Sequence, residues 1–497
     1  MYDAILIGLA NIFQLPDALI ILFGTTVSML FGALPGLGGI VILTLSLPII
    51  MDLDRNLAMM VFAAAVGGIT FGGSISAILL NVPGTVANIA TVFDGYPLAK
   101  KGRAGFALAI SATASALGSV FGYLIFLLLI PVVRAIVFSF GPPETFLMAF
   151  LGISLIASLN QREPIKGFIS AGLGFMIAFI GYDPITGELR FTFGFGYLWD
   201  GIHVGVIAIG IYAVSEMMYL ATEGQESVTG DGIVETNFKD VWAGIKYVIY
   251  RPFLLIRSAV IGCIIGIVPG VGANVAAFLA YGAARATSKN PQLYGEGNPE
   301  GVLAPEASND AKDGGALLPT LAFGIPGSAP HAILLVGLLL LGLTPGKELL
   351  TDNLGVVFTL VFALMLANVW TSILGIIFAR HLVQITKIKI KLIIPIVIVL
   401  SFVGAFVLRN NLFDPFVVLI FAFLGYGMKK YNYSFITFVL AYVLGDIAEV
   451  SLFQSLLISD NGILIFISRP VSIGLSSLII ISLLFPFFQR PMNQQAA

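Results

Sequence analysis

The sequence predicts an all-α polytopic membrane protein of about twelve transmembrane segments, arranged as two inverted repeats with Pro-Gly-broken helices or re-entrant hairpins. Three observations carry that expectation. Of 497 residues, 58% are hydrophobic and 10% charged, with a mean hydropathy of +1.00, whereas soluble domains carry roughly 25% charged residues. Apolar runs long enough to cross a bilayer, about 20 residues each, recur from end to end. Two halves echo each other on either side of one long polar stretch, residues 222–250.

In chain order, residues 3–14 read as a short interfacial or amphipathic helix. The N-terminus has no basic region and no small-residue cleavage pattern, so it is not read as a cleaved signal peptide. Candidate spans follow at 18–48, 57–98, 105–133, 144–159, 166–182, 201–221, 254–284, 314–345, 353–379, 392–408, 412–428, 434–458 and 464–488. Those at 18–48, 57–98 and 314–345 are too long for one simple span and contain Pro-Gly, and 254–284 carries one such break. The expected organisation is a first membrane repeat at 1–221, a cytoplasmic linker at 222–250, a second repeat at 251–460, and an extra helix and tail at 461–497. A linker of this length is too short for its own core.

The echo is local and repeated. GALPGLGG at 32–39 matches GIVPGVGA at 266–273, and GGSISAILLNVPGT at 72–85 matches GGALLPTLAFGIPGS at 314–328. The step from Gly73 to Pro83 is ten residues, and that from Gly315 to Pro326 is eleven. GVIAIGIYAVSEMM at 205–218 parallels TFVLAYVLGDIAEV at 437–450, placing Glu216, and Asp446 with Glu449, near the end of an apolar helix. Paired halves are a mark of secondary transporters.

Basic residues set the orientation. Lys100, Lys101, Arg103, Arg162, Lys166, Lys246, Arg251, Arg380, Lys387, Lys389, Lys391, Lys429, Lys430 and Arg490 fit one face, the cytoplasmic one. Arg134, Arg190, Arg409 and Arg469 fall on the other. On this reading 105–133 runs outward and its partner 353–379 inward, which inverts the repeats. The N-terminus is then periplasmic and the C-terminus cytoplasmic.

Backbone that leaves helical bonding at membrane depth must be satisfied by protein or line a wet cavity. Helix ends there offer free amides and positive dipole to an anion, and unwound carbonyls hold a cation. The substrate candidates are therefore Ser74, Asn81, Pro83, Gly84, Thr85 and Asn88 at one break, and Pro326, Gly327 and Ser328 at the other; a kinked helix with local capping is the plain alternative. For a cation such as Na⁺ the candidates are Gly36, Gly38, Gly270, Gly272 and Asn274, with close helix packing as the alternative. Glu306, Asn309, Asp310 and Asp313 follow i, i+3, i+4, i+7 and share a helical face. Glu306 and Asn309 are read as cation ligands; Asp310 and Asp313 stay open between site and surface cap, because Pro305-Glu306 also reads as a helix start. Lys312 points off that face, toward an acid or an anion.

Other chemistry is thinly supported. His203, His331 and His381 have no ligand spacing, and His331 alone follows a break closely enough to line a cavity. Cys263 reads as a small buried hydrophobe. No phosphate loop, metalloprotease pattern or nucleophile elbow is present, so no cofactor and no enzymatic activity are expected, and a net charge of -2 speaks against nucleic acid.

GALPGLGG, GGSISAILLNVPGT with DGYPLAKKGRAG at 94–105, GIVPGVGA and GNPEGVLAPEASNDAKDGGALLPTLAFGIPGS at 297–328 resemble the large membrane subunit of the tripartite tricarboxylate transporters, over nearly the whole length. The resemblance implies a small four-helix membrane partner, a periplasmic solute-binding protein, a bacterial inner-membrane location, organic carboxylates as cargo and uptake driven by a cation gradient, with Na⁺ expected. Motif-level carry-over falls on Pro83, Gly84, Thr85, Pro326, Gly327 and Ser328. An elevator-like motion suits such an architecture. Alternatives are a stand-alone symporter or exchanger, a membrane-embedded enzyme using the Glu306 to Asp313 face, and a structural or assembly protein.

Overall fold

The computed structural model describes residues 1–34, 39–158, 164–223, 238–269, 272–385, 390–459 and 462–488. The first half contains α1 (Tyr2–Ile12), α2 (Leu15–Ala33), α3 (Ile40–Ile50), α4 (Arg55–Leu80), α5 (Ile89–Leu98), α6 (Ala104–Phe138), α7 (Pro142–Ser158), α8 (Pro164–Ala178), α9 (Val204–Ala208) and α10 (Ser215–Glu223). After it come α11 (Phe238–Ile249), α12 (Pro252–Ile267), α13 (Gly272–Thr287), α14 (Glu300–Phe323), α15 (Ala329–Leu340), α16 (Lys347–Thr351), α17 (Leu354–Ile385), α18 (Ile390–Arg409), α19 (Asp414–Lys430), α20 (Phe435–Ile458) and α21 (Pro470–Phe488). The sheet structure among the described residues is one antiparallel hairpin, Gly181–Tyr182 with Leu189–Arg190.

The all-helical membrane fold is as expected, because lipid leaves a spanning backbone few other ways to pair its own groups. Among the described residues seven stretches are long and apolar enough to cross a bilayer, or eight if α11 and α12, bent by 72°, count as one. That is fewer than about twelve. The breaks divide the long apolar runs, leaving α3 and α15 at 11 and 12 residues; α7 and α8, at 17 and 15, fall just short. The second part of the 222–250 linker forms α11, which packs on α6 where Gly244 meets Phe106 and Ala109; residues 224–237 lie outside the described residues.

Helix starts follow their local chemistry. Asp54 caps α4 by accepting from the amides of Asn56 and Leu57 at 3.0 and 3.2 Å, and Ser434 caps α20 by accepting from the Thr437 amide at 3.2 Å, each satisfying end groups that have no intrahelical partner.

The packing of the two halves repeats. α2 lies along α4 as α12 lies along α14, while α6 of the first half packs on α14 and α17 of the second half packs on α4. Small residues permit these approaches: a Cβ on Gly118 would stand 2.4 Å from the Ala307 carbonyl oxygen, and one on Gly315 would stand 2.1 Å from that of Cys263. The structure corrects one spacing. Gly72, not Gly73, takes the place of Gly315, since it meets the Met29 carbonyl on α2 as Gly315 meets Cys263 on α12, so both steps to the proline are eleven residues.

Two sequence motifs meet at one carboxylate. Oδ1 of buried Asp94, on α5, accepts from the amides of Gly295, Gly297 and Asn298 at 2.9, 2.9 and 2.7 Å, and Oδ2 accepts from the Tyr281 hydroxyl at 2.9 Å. DGYPLAKKGRAG thereby holds GNPEG, and with it the start of α14.

Candidate functional site

Each half breaks a long apolar run in the same way. α4 ends on Asn81 in the left-handed region (φ 60, ψ 23) and α14 ends on Gly324 (φ 68, ψ 23). Three residues later come Gly84 and Gly327, which must be glycine for a reason of space: a Cβ would stand 2.6 Å from the Gly32 carbonyl oxygen in the first case and 2.8 Å from that of Gly266 in the second. Thr85 and Ser328 then stand extended at the next helical start. Thr85 donates to Asn88 Oδ1 from its hydroxyl at 2.6 Å and from its amide at 3.2 Å, and Ser328 Oγ pairs with His331 Nδ1 at 2.8 Å. Both tips thus carry, at the N-cap position, a hydroxyl bonded to the side chain three residues on.

The first tip leads into a buried polar network. Asn88 donates to Ser74 Oγ at 2.7 Å, and Ser74 donates to both carboxylate oxygens of Glu306 at 2.9 and 2.8 Å. Ser111 and Ser115 donate to Glu306 Oε2 at 2.9 and 3.0 Å, and Thr91 donates to Oε1. Sequence reasoning named Ser74, Asn88 and Glu306 and missed Thr91, Ser111 and Ser115. The legible signal was Ser111 and Ser115 at i, i+4 on a long apolar helix. Asn81, expected among the donors, has an exposed side chain and serves the left-handed turn.

α14 begins at Glu300 and is buried from Gly301 to Ala322. The surface-cap alternative for Asp310 and Asp313 is therefore overturned: they lie in mid-helix at 1% and 4% exposure, because the helix starts five residues before Pro305. Lys312 pairs with Asp313. Six carboxylates are buried among the described residues: Asp94, Glu144, Glu306, Asp310, Asp313 and Asp414. Five have donors. Asp310 has none on either oxygen, and the Asn309 amide nitrogen beside it is also unpartnered.

No group of three or more His, Cys, Asp or Glu converges as a metal site among the described residues. Gly36, Gly38 and Gly270 lie outside the described residues; Gly272 opens α13, which also contains Asn274. A cavity of about 150 Å³ lies beside Gly324 and Phe323, lined mainly by apolar side chains with Lys347 as its charged member. It contains neither tip hydroxyl. A second cavity, about 10 Å³, touches Tyr123, Pro330 and His331, which is room for about one water.

Broken helices with polar tips and buried ionisable groups are what a membrane path for a charged solute requires, and residues 18–440 match the profile of the tripartite tricarboxylate transporter TctA family. The chain belongs to that family. It is a tricarboxylate-type transporter membrane subunit, with the breaks and α14 inside the matched region. Two relatives from Agrobacterium vitis are similar. An uncharacterized 52.8 kDa protein of the TAR-I ttuC' 3' region is 28% identical over 452 residues, covering 91% of this chain and 89% of its own; an uncharacterized protein of the TAR-II ttuC' 3' region is 27% identical over 236 residues, 47% of this chain and 98% of its own. No solved structure matches this TctA-family chain.

Proposed function

We propose that this TctA-family subunit imports organic di- or tricarboxylates across the bacterial inner membrane, driven by a cation gradient, with a small four-helix membrane subunit and a periplasmic solute-binding protein. The observation that carries the reading is the pair of equivalent tips, each a left-handed helix end followed by a hydroxyl residue at the next helix start, flanking a helix that holds three buried acids and a buried lysine. The tips supply amides and helix dipole to carboxylates through Pro83, Gly84, Thr85, Asn88, Pro326, Gly327 and Ser328. Na⁺ is the proposed co-transported ion. Glu306 already receives four hydroxyl donors, so the carboxylate with oxygens to spare is Asp310, next to Asn309; Gly36, Gly38, Gly270, Gly272 and Asn274 would add carbonyl and amide oxygens at the other breaks.

The proposed topology has twelve spans in two inverted repeats and moves by an elevator-like displacement of the broken-helix core. Three of the four arginines that breach the positive-inside pattern are paired: Arg190 with Glu449, Arg409 with Asp414 and Arg469 with Glu144. Their charge is therefore compensated, which supports a cytoplasmic C-terminus and a periplasmic N-terminus.

The test is uptake of radiolabelled citrate, tartrate, malate and succinate into proteoliposomes holding the chain with its two partners, with and without an inward Na⁺ gradient. Gradient-driven uptake that stops when the binding protein is omitted is the expected result. Uptake without the binding protein would establish a stand-alone symporter instead, and absence of uptake of all four would overturn the reading.

A further inference from the structure

We propose that Lys312 binds a carboxylate of the transported anion, exchanging Asp313 for it. This rests on the carboxylate-import reading and names the recognition group within that site. Among the described residues Lys312 is the one lysine or arginine that is buried, at 6% exposure. A charged side chain taken out of water is costly, and in a transporter subunit it is a candidate for the solute path unless it serves packing. The packing role is weak here. The pairs Arg469 with Glu144 and Arg190 with Glu449 tie together residues far apart in sequence, but Lys312 and Asp313 are neighbours on one helix, so their bond joins no two elements. Adjacent helical side chains point about 100° apart, and the bond to Asp313 uses one of the three ammonium protons.

Its surroundings join it to the second tip. The Lys312 carbonyl lies under Gly266 at the second pair of breaks, and one turn on, Ala316 packs against Gly327 of the second tip. His331, bonded to Ser328 at that tip, is within electrostatic reach of both Lys312 and Asp313. Glu306, with its ring of hydroxyls, is six residues earlier, about 9 Å along the helix. α14 thus holds an ammonium within electrostatic reach of the second tip and a hydroxyl-bonded carboxylate beside the first.

The exchange also links cargo to ion. A substrate carboxylate that replaces Asp313 keeps the ammonium paired throughout, avoiding the large cost of a lone buried charge. Asp313 is then released beside Asp310, which has no donor, and two bare carboxylates three residues apart call for a cation. Substrate binding therefore raises cation affinity, and by linkage the reverse holds.

The test uses the full complex in proteoliposomes with radiolabelled citrate, and the purified full chain for citrate-induced shifts in thermal unfolding, comparing wild type with Lys312→Met, Lys312→Arg, Asp313→Asn and the double variant Lys312→Met/Asp313→Asn. Lys312→Met and the double variant are expected to raise the citrate half-saturation concentration about 100-fold and to abolish the thermal shift; Lys312→Arg stays within about tenfold of wild type. Asp313→Asn, which removes the competitor, binds citrate at least as tightly as wild type. Because the double variant removes both members of the pair and so creates no new unpaired charge, it remains informative where Lys312→Met alone does not fold. Wild-type citrate affinity in the double variant would make the pair structural and overturn the assignment while leaving the import reading intact. Failure of wild type to take up any of the four acids would overturn both.

Discussion

Glu306 is a buried carboxylate with no basic side chain among the donors on its oxygens. Removing such a charge from water costs several kcal/mol, and a hydrogen bond to a charged group returns about 1.5 to 3 kcal/mol. Four hydroxyl donors, from Ser74, Thr91, Ser111 and Ser115, therefore offset much of that cost. Asp310 gains no such return, since neither of its oxygens is hydrogen-bonded. Glu306→Gln is expected to change the Na⁺ concentration that half-activates uptake by roughly tenfold, since the second acid then faces a neutral neighbour; unchanged Na⁺ activation would return Glu306 to a structural role. Thr85→Ala and Ser328→Ala are each expected to lower uptake several-fold at normal membrane insertion. Wild-type rates in both would remove the tips from the solute path.

At the scale of elements, the breaks depend on backbone contact that only glycine allows. Adding a Cβ at Gly84 would bring it within 2.4 Å of Gly73 Cα, and at Gly327 within 2.6 Å of Ala316 Cβ. Gly84→Val and Gly327→Val should each destabilise by about 1 to 3 kcal/mol, read as a fall in the thermal midpoint of the purified protein; an unchanged midpoint would mean the tips are not packed against α2 and α12. Outside the spans, the 181–190 hairpin is closed by Asp183. Its carboxylate lies below the usual range, held there first by the Ile185 amide, then by the Thr186 amide and the Arg190 guanidinium. A lowered folded value means the contribution is present above the ordinary carboxylate range and is lost as pH falls through the lowered value. Asp183→Asn should imitate that loss at neutral pH, seen as faster hydrogen exchange at the Ile185 and Thr186 amides.

For the whole molecule, the reciprocal packing of α6 on α14 and of α17 on α4 means that a helix of each half packs along the broken helix of the other. Motion of one hairpin core without the other would break both contacts. Orientation is open to direct test because the single cysteine, Cys263, is buried with Sγ 3.3 Å from the Ala311 carbonyl oxygen. In a Cys263→Ala background, a cysteine at Gly187 should react with an impermeant thiol reagent in intact cells, and one at Lys430 only after permeabilisation. The reverse pattern would invert the assigned topology.

Class and breaks were legible in the sequence because both follow from short-range chemistry. Composition determines whether a chain can leave water, and Pro-Gly with a following Thr or Ser determines where a helix must stop and restart. The family was legible from five motifs for the same reason. What tertiary structure alone decided is which polar groups meet. Ser74, Thr91, Ser111 and Ser115 come from three helices and converge on Glu306 only because Gly118 and Gly122 let α6 approach α14. Asp310 and Asp313 read equally as surface caps until the helix start at Glu300 buried them. Burial of a charge, and the presence or absence of its partner, depends on residues hundreds of positions away, and no local pattern encodes it.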